Sequence, residues 1–111
     1  MPEKMAHVSE TVDPVQVVLS ASKGLPPNQR LVLVHYVTHP KRDRHGTVEE
    51  TNEKLAGGLG WQPTVFSRTC KELIGAGFLE ERRRVGNVRY YGLTAKAIGR
   101  KAKIVPLRSV G

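Results

Sequence analysis

The stretch from Phe78 to Thr94, FLEERRRVGNVRYYGLT, sets Arg82, Arg83, Arg84 and Arg89 around a Gly86-Asn87 pair. Cations this close repel one another unless something negative lies nearby, so the chemistry they suggest is the binding of an anion. A second polar set, Thr64, Ser67, Arg68 and Lys71, falls on one side of PTVFSRTCKELIGAG. It is short-chained near its start and basic further on, a composition able to enter a DNA groove, although an ordinary solvated face reads the same way. His35 and His39 are spaced i, i+4 and could share a metal, but no third ligand is evident near them and ordinary histidines are the favoured reading. Gly57, Gly58 and Gly60 lack the preceding strand and the following Gly-Lys-Ser/Thr of a phosphate loop, so they read as a helix ending. Tyr90 and Tyr91 could stack on unpaired bases, yet one of two adjacent strand residues must point inward. Phosphate-loop, zinc-protease and redox-pair motifs are all absent, and no enzyme and no cofactor is expected.

The charge is local. Residues 1–81 hold nine Lys/Arg and ten Asp/Glu, a net −1, whereas residues 82–111 hold nine Lys/Arg and no acid, a net +9 that sets the overall +8. Such a field points to a polyanion, nucleic acid or an anionic membrane surface, unless the tail only aids solubility. The 111 residues suffice for one domain with a modest core. There is no apolar run long enough to span a membrane, and the beginning of the chain lacks a secretion signal, so no membrane partner and a cytoplasmic, nucleoid-associated location are expected. The lone Cys70 forms no internal disulfide and supplies no zinc cluster.

The elements that must position these residues are mostly helical, with a small β-hairpin (α+β). Residues 1–12 are polar and without periodicity, and residues 105–111 form a second flexible end; residues 13–104 make one domain with its centre at 26–94. Asp13-Pro14 starts a helix that ends near Gly24, and Pro26-Pro27 starts a second that runs to Pro40. Leu31 to Val37 is apolar on nearly every side and must be buried by the fold or by a second chain. Lys41 to Gly46 is a charged loop. Thr47-Val48-Glu49-Glu50 fits a capping box, which places a third helix from Val48 to Gly60. A fourth starts at Pro63, with Phe66, Cys70 and Leu73 facing inward and Gly75 and Gly77 at its end. In the hairpin a two-residue loop would put Leu79 and Leu93 on opposite faces, which predicts a longer loop or a bulge. Thr94 then caps a last helix with Ala95, Ile98 and Ala102 on its apolar stripe, stopped by Pro106.

The run TVEETNEKLAGGLGWQPTVFSRTCKELIGAGFLEERRRVGNVRYYGLT resembles the winged helix-turn-helix domains of bacterial regulators of the MarR and ArsR type. The likeness is carried by Leu55-Ala56 with Leu59-Gly60, by Phe66 to Leu79 and by Tyr90 to Thr94, and GLPPNQRLVLVHYVTHP is similar to the first helix of related plasmid and phage replication domains. It implies a winged helix-turn-helix with extra N- and C-terminal helices that binds double-stranded DNA. Gln62, Pro63, Thr64, Ser67, Arg68 and Lys71 would line the recognition helix, about residues 63–75, in the major groove. Arg82, Arg83, Arg84, Asn87 and Arg89 would form the wing, about residues 78–94, on phosphates or the minor groove. Gln62 departs from the Ser or Thr cap common in such helices. The implied role is a transcriptional regulator acting as a homodimer with no identified effector; a replication or partition protein and a protein-interaction module are the alternatives.

Overall fold

The computed structural model describes residues 13–99. The two expected flexible ends and the later part of the expected last helix lie outside them. Four helices precede a hairpin: α1 (Pro14–Ala21), α2 (Pro27–Val37), α3 (Asn52–Leu59), α4 (Pro63–Gly75), β1 (Leu79–Val85) and β2 (Val88–Leu93). The result is a small α+β fold.

α1 opens as its sequence predicts, with the Asp13 side chain accepting a hydrogen bond from the Val15 N–H and Pro14 following at the first helical position. It ends at Ala21, short of Gly24, where Arg30 reaches back from α2 and donates from Nη2 to the Leu19 carbonyl at 2.7 Å. α2 is the centre of the molecule and packs against α1, α4 and β2. Val32, Leu33, Tyr36 and Val37 are buried, while Leu31 stays 44% exposed, so one chain covers most of this apolar helix but not all of it. α2 stops at Val37, three residues before Pro40: the Thr38 N–H still bonds the Val34 carbonyl, where the Thr38 hydroxyl joins it, but the His39 N–H tightens to the Tyr36 carbonyl.

The third helix does not begin at the capping box. Thr47 and Val48 are instead extended, bridging to Gly92 and Arg42, and Val48 donates its N–H to the Tyr91 carbonyl at 3.0 Å. Both side chains are buried. Two adjacent β-branched residues are stiff and suit an edge beside the hairpin better than a first helical turn. α3 therefore starts four residues later, with the Thr51 hydroxyl accepting from the Lys54 N–H. Gly57 and Gly58 lie inside the helix, and a Cβ on Gly58 would sit 3.2 Å from the His35 ring, so this glycine lets α3 approach α2. Gly60 alone ends the helix, in the left-handed conformation.

After β2 the expected helix does not form within the described residues. Residues 95–99 are turns held by Ala97, Ile98 and Gly99 N–H groups returning to Thr94 and Lys96. Ala97, not Ala95, is the buried side chain there. The core joins Val18, Leu33, Tyr36, Val48, Leu55, Phe66, Leu73, Leu79, Leu93 and Ala97 into one cluster.

The hairpin resolves its register conflict by a bulge. Val85 pairs with Val88 across a two-residue Gly86-Asn87 turn, yet Leu79 pairs with Leu93, because the register shifts between Glu81 and Arg83. The extra residue is Arg82, and both leucines thereby reach the core.

Candidate nucleic-acid interface

α4 presents two opposite faces. Phe66, Thr69, Cys70 and Leu73 are buried, and Phe66 stacks parallel to Tyr36 at 6.5 Å between ring centroids. Burial pushes the Cys70 thiol up to about 12, which makes it a packing residue rather than a metal or redox group at neutral pH. On the outer face Gln62, Pro63, Thr64, Arg68 and Lys71 are exposed and Ser67 is half-buried. Pro63, Thr64, Ser67, Arg68 and Lys71 line a shallow groove of about 330 Å³. Gln62 stands at the N-cap without a side-chain bond, so Pro63 fixes the helix start. Among the described residues no carboxylate pairs with Arg68 or Lys71.

The hairpin also has two faces. The bulge keeps Leu79, Glu81 and Arg84 on the side of Leu93, Tyr91 and Arg89, while Glu80, Arg83 and Val85 share the other side with Gly92, Tyr90 and Val88. The first side leads from the core outward past Tyr91 to Arg89 and Arg84. On the second, the Arg83 guanidinium lies 5.1 Å from the centre of the Tyr90 ring, and Arg83 Nη1 is 3.3 Å from Glu49. Repulsion among the arginines is thus relieved inside the chain. Arg84 Nε and Arg89 Nε lie 3.5 and 3.8 Å from the two oxygens of Glu81.

Arg82, expected in the wing, is also bonded within the chain. Its guanidinium donates to the His45 carbonyl at 2.7 Å and to the Leu93 carbonyl at 2.6 Å, tying the Lys41–Gly46 loop to β2. Arg82 Nε lies 2.8 Å from Glu80 Oε2 but makes no aligned hydrogen bond, so that contact is an ion pair only. The bulge folds this side chain across Gly92, where a Cβ would meet Arg82 Cζ and the Gly46 carbonyl at 3.0 Å each. With each terminal nitrogen donating to a backbone carbonyl, Arg82 acts as a structural clasp.

One residue that the sequence reading passed over joins the helix to the hairpin. Asn52, at the first position of α3, donates from Nδ2 to the Ser67 hydroxyl at 3.3 Å. Thr51, Asn52 and Glu53 also line a second groove, of about 370 Å³, with Asn87, Val88, Arg89 and Tyr91. Asn52 therefore touches both the α4 face and the groove below the hairpin tip, and Ser67, Asn52 and Arg89 lie along one surface. The signal for it was the pair Thr51-Asn52, a fair helix start hidden by the better-matching box at Thr47.

The loop Lys41–Gly46 is ordered by Asp43, whose Oδ1 accepts from the His45 and Thr47 N–H groups at 2.8 and 2.9 Å. The Thr47 bond, with the His45 bond behind it, holds this carboxyl below its ordinary range. The two candidate metal histidines are engaged with backbone: His35 Nε2 is 3.1 Å from the Leu55 carbonyl, and His39 Nδ1 accepts from the Lys41 N–H. Among the described residues no cluster of three or more His, Cys, Asp or Glu could hold a metal, and no helix is long and apolar enough to cross a membrane.

No protein-family model matches the chain, and no curated protein matches it. Among solved structures it is similar to RV1404 from Mycobacterium tuberculosis, with a TM-score of 0.52 and 18% sequence identity over 95% of this chain. The chain spans 66% of the length of that protein. At this identity the likeness concerns the fold alone.

Proposed function

We propose that the chain is a non-enzymatic, sequence-specific protein of winged helix-turn-helix type that binds double-stranded DNA and regulates transcription. α3 and α4 form the helix-turn-helix, α4 is the recognition helix and β1–β2 the wing. The observation that carries the reading is the continuous surface from Arg68, Lys71 and Ser67 through Asn52 to Asn87 and Arg89. A duplex laid on it would place α4 in the major groove and the hairpin over the adjacent backbone. Arg68 is the candidate base reader, since a guanidinium bonds guanine O6 and N7 together, while Arg84 and Arg89 are positioned for phosphates. Association with the nucleoid follows from this reading.

We further propose that a second copy docks on the strip formed by Leu19, Pro27, Leu31 and Val34 along α1 and α2, the part of the apolar helix that one chain leaves uncovered. Two recognition helices would then address half-sites roughly 34 Å apart, or a multiple of that.

The same surface would serve a plasmid or phage replication or partition protein, and the position of the bound sites separates the two roles. Selection of bound fragments from genomic DNA followed by footprinting is the test. Protected near-palindromic sequences beside promoters support regulation, and protected repeats within an origin support the replication role. A protein-interaction module is favoured by one observation, the carboxylate beside every hairpin arginine. That reading prevails if no sequence is protected and duplex binding is absent at low salt.

A further inference from the structure

We infer that Glu81, shared between Arg84 and Arg89 on the inward side of the hairpin, occupies the place of a DNA phosphate in the free protein and sets both the affinity and the selectivity of the wing. The inference rests on the DNA-binding reading above and concerns how that surface is held in check.

Arg84 and Arg89 are cross-strand partners, so their side chains leave the same side of the hairpin next to each other. Two guanidiniums in that position repel. Glu81 lies one bulge earlier on the same side, opposite Tyr91, and its two oxygens face the two Nε atoms at 3.5 and 3.8 Å. One anionic group with two oxygens between two guanidiniums is also how a backbone phosphate would sit there. The triad is open to solvent, with the side chains of Arg84, Arg89 and Glu81 51, 52 and 38% exposed. A phosphate can therefore reach the arginines, and contacts this exposed and this long hold weakly enough to be exchanged.

Exchange has a direction. A phosphate arriving at Arg84 and Arg89 must displace a carboxylate that remains tethered nearby and repels it. A duplex held only by its backbone depends on the wing and meets this penalty in full, whereas one whose bases satisfy the α4 face, through Arg68 and Lys71 that no internal carboxylate neutralises, can stay bound while the wing remains on Glu81. Glu81 thus lowers non-specific binding more than specific binding. Glu80 differs although it is the adjacent residue: it lies on the other side of the hairpin beside Arg82, whose two terminal nitrogens each donate to a backbone carbonyl.

The test compares Glu81→Gln with Glu80→Gln, which change net charge equally, on a selected site and on a random-sequence duplex, by fluorescence anisotropy between about 50 and 200 mM salt. Glu81→Gln is expected to tighten random-duplex binding about fivefold and selected-site binding by less, and to steepen the slope of log affinity against log salt by about 0.9, the equivalent of one more phosphate. Glu80→Gln should leave the slope unchanged. In an Arg84→Ala/Arg89→Ala background the Glu81→Gln gain should vanish. Equal effects of the two glutamine variants, or a gain that persists without the two arginines, overturns the inference while leaving the DNA-binding reading intact. Failure of wild type and every variant to bind any duplex removes the DNA-binding reading, and the inference with it. The free-protein pairing has its own readout, since the Nε–H resonances of Arg84 and Arg89 should shift on Glu81→Gln.

Discussion

Arg82 shows how little a residue's type says about its employment. It belongs to a run of three arginines, yet it is the one whose guanidinium is spent on two backbone carbonyls, because the bulge turns it toward Gly92. Arg82→Ala removes a donor shared by the loop and β2 and should cost about 1.5 to 3 kcal/mol of stability in chemical denaturation, the range for hydrogen bonds from a charged group. Its effect on the salt slope of DNA binding should be small compared with that of Arg84→Ala/Arg89→Ala. Gly92→Ala should destabilise in the same way, since the added methyl meets a backbone oxygen that cannot move aside. At Cys70 the folded thiol keeps its proton up to about 12, against 9.0 for the ordinary group. Below the lower value both states are protonated and nothing depends on pH; above it the unfolded thiol ionises first, the unfolded state binds fewer protons, and stability falls as pH rises. Burial pushes the Tyr36 hydroxyl up as well, with the same sign. The wild type should therefore lose stability between about pH 9 and 12 more steeply than Cys70→Ala, by at most about 1.4 kcal/mol per pH unit. Alkylation of Cys70 at neutral pH should require unfolding.

Among the elements, those with an unambiguous local signal were legible from the sequence. Asp13-Pro14, Pro63 and Gly60 each satisfy or end a helix by their own chemistry, and the register of Leu79 and Leu93 demanded the bulge that the hairpin has. The outer face of α4 was legible for the same reason, being defined by the spacing of Phe66, Cys70 and Leu73 opposite it. What the sequence concealed was decided at longer range. Thr47 and Val48 match a helix cap locally and are drawn to the hairpin by residues far along the chain, Gly92 and Tyr91 of β2. Asn52 was concealed by that competing cap upstream. The internal bonds of Arg82 were not legible, because no periodicity shows which residue a bulge will turn. The true start of α3 is testable: Thr51→Ala should cost about 1 kcal/mol through loss of the cap. A Thr51→Ser variant should recover most of it. In the Lys41–Gly46 loop, Asp43 is held below its ordinary carboxyl range by backbone N–H groups, so its contribution is present above that range and lost as pH falls through the lowered folded value. Asp43→Asn should make acid unfolding less steep and loosen the loop at neutral pH, as read by amide exchange at His45 and Thr47.

For the whole molecule, the charge asymmetry of the chain takes on a physical form. The hairpin arginines are each set against a carboxylate, so among the described residues the uncompensated cations of the proposed interface are Arg68 and Lys71 on α4. In the proposed complex helix and wing would have different duties, the first reading bases and the second exchanging an internal anion for the backbone. The proposed dimer draws on the strip along α1 and α2, where Leu31 keeps 44% of its surface exposed. Leu31→Glu should shift sedimentation equilibrium toward monomer and reduce affinity for a two-half-site duplex by more than tenfold, with little change in thermal stability. The account as a whole is tested most directly by the salt dependence of duplex binding in three proteins: wild type, Arg84→Ala/Arg89→Ala and Arg68→Ala. The wild type should lose affinity steeply with salt, the wing variant should flatten the slope by about one to two units, and Arg68→Ala should keep the slope within about one unit while losing preference for the selected site. Slopes and preferences that are the same in all three proteins would contradict the assignment of α4 and the hairpin to DNA.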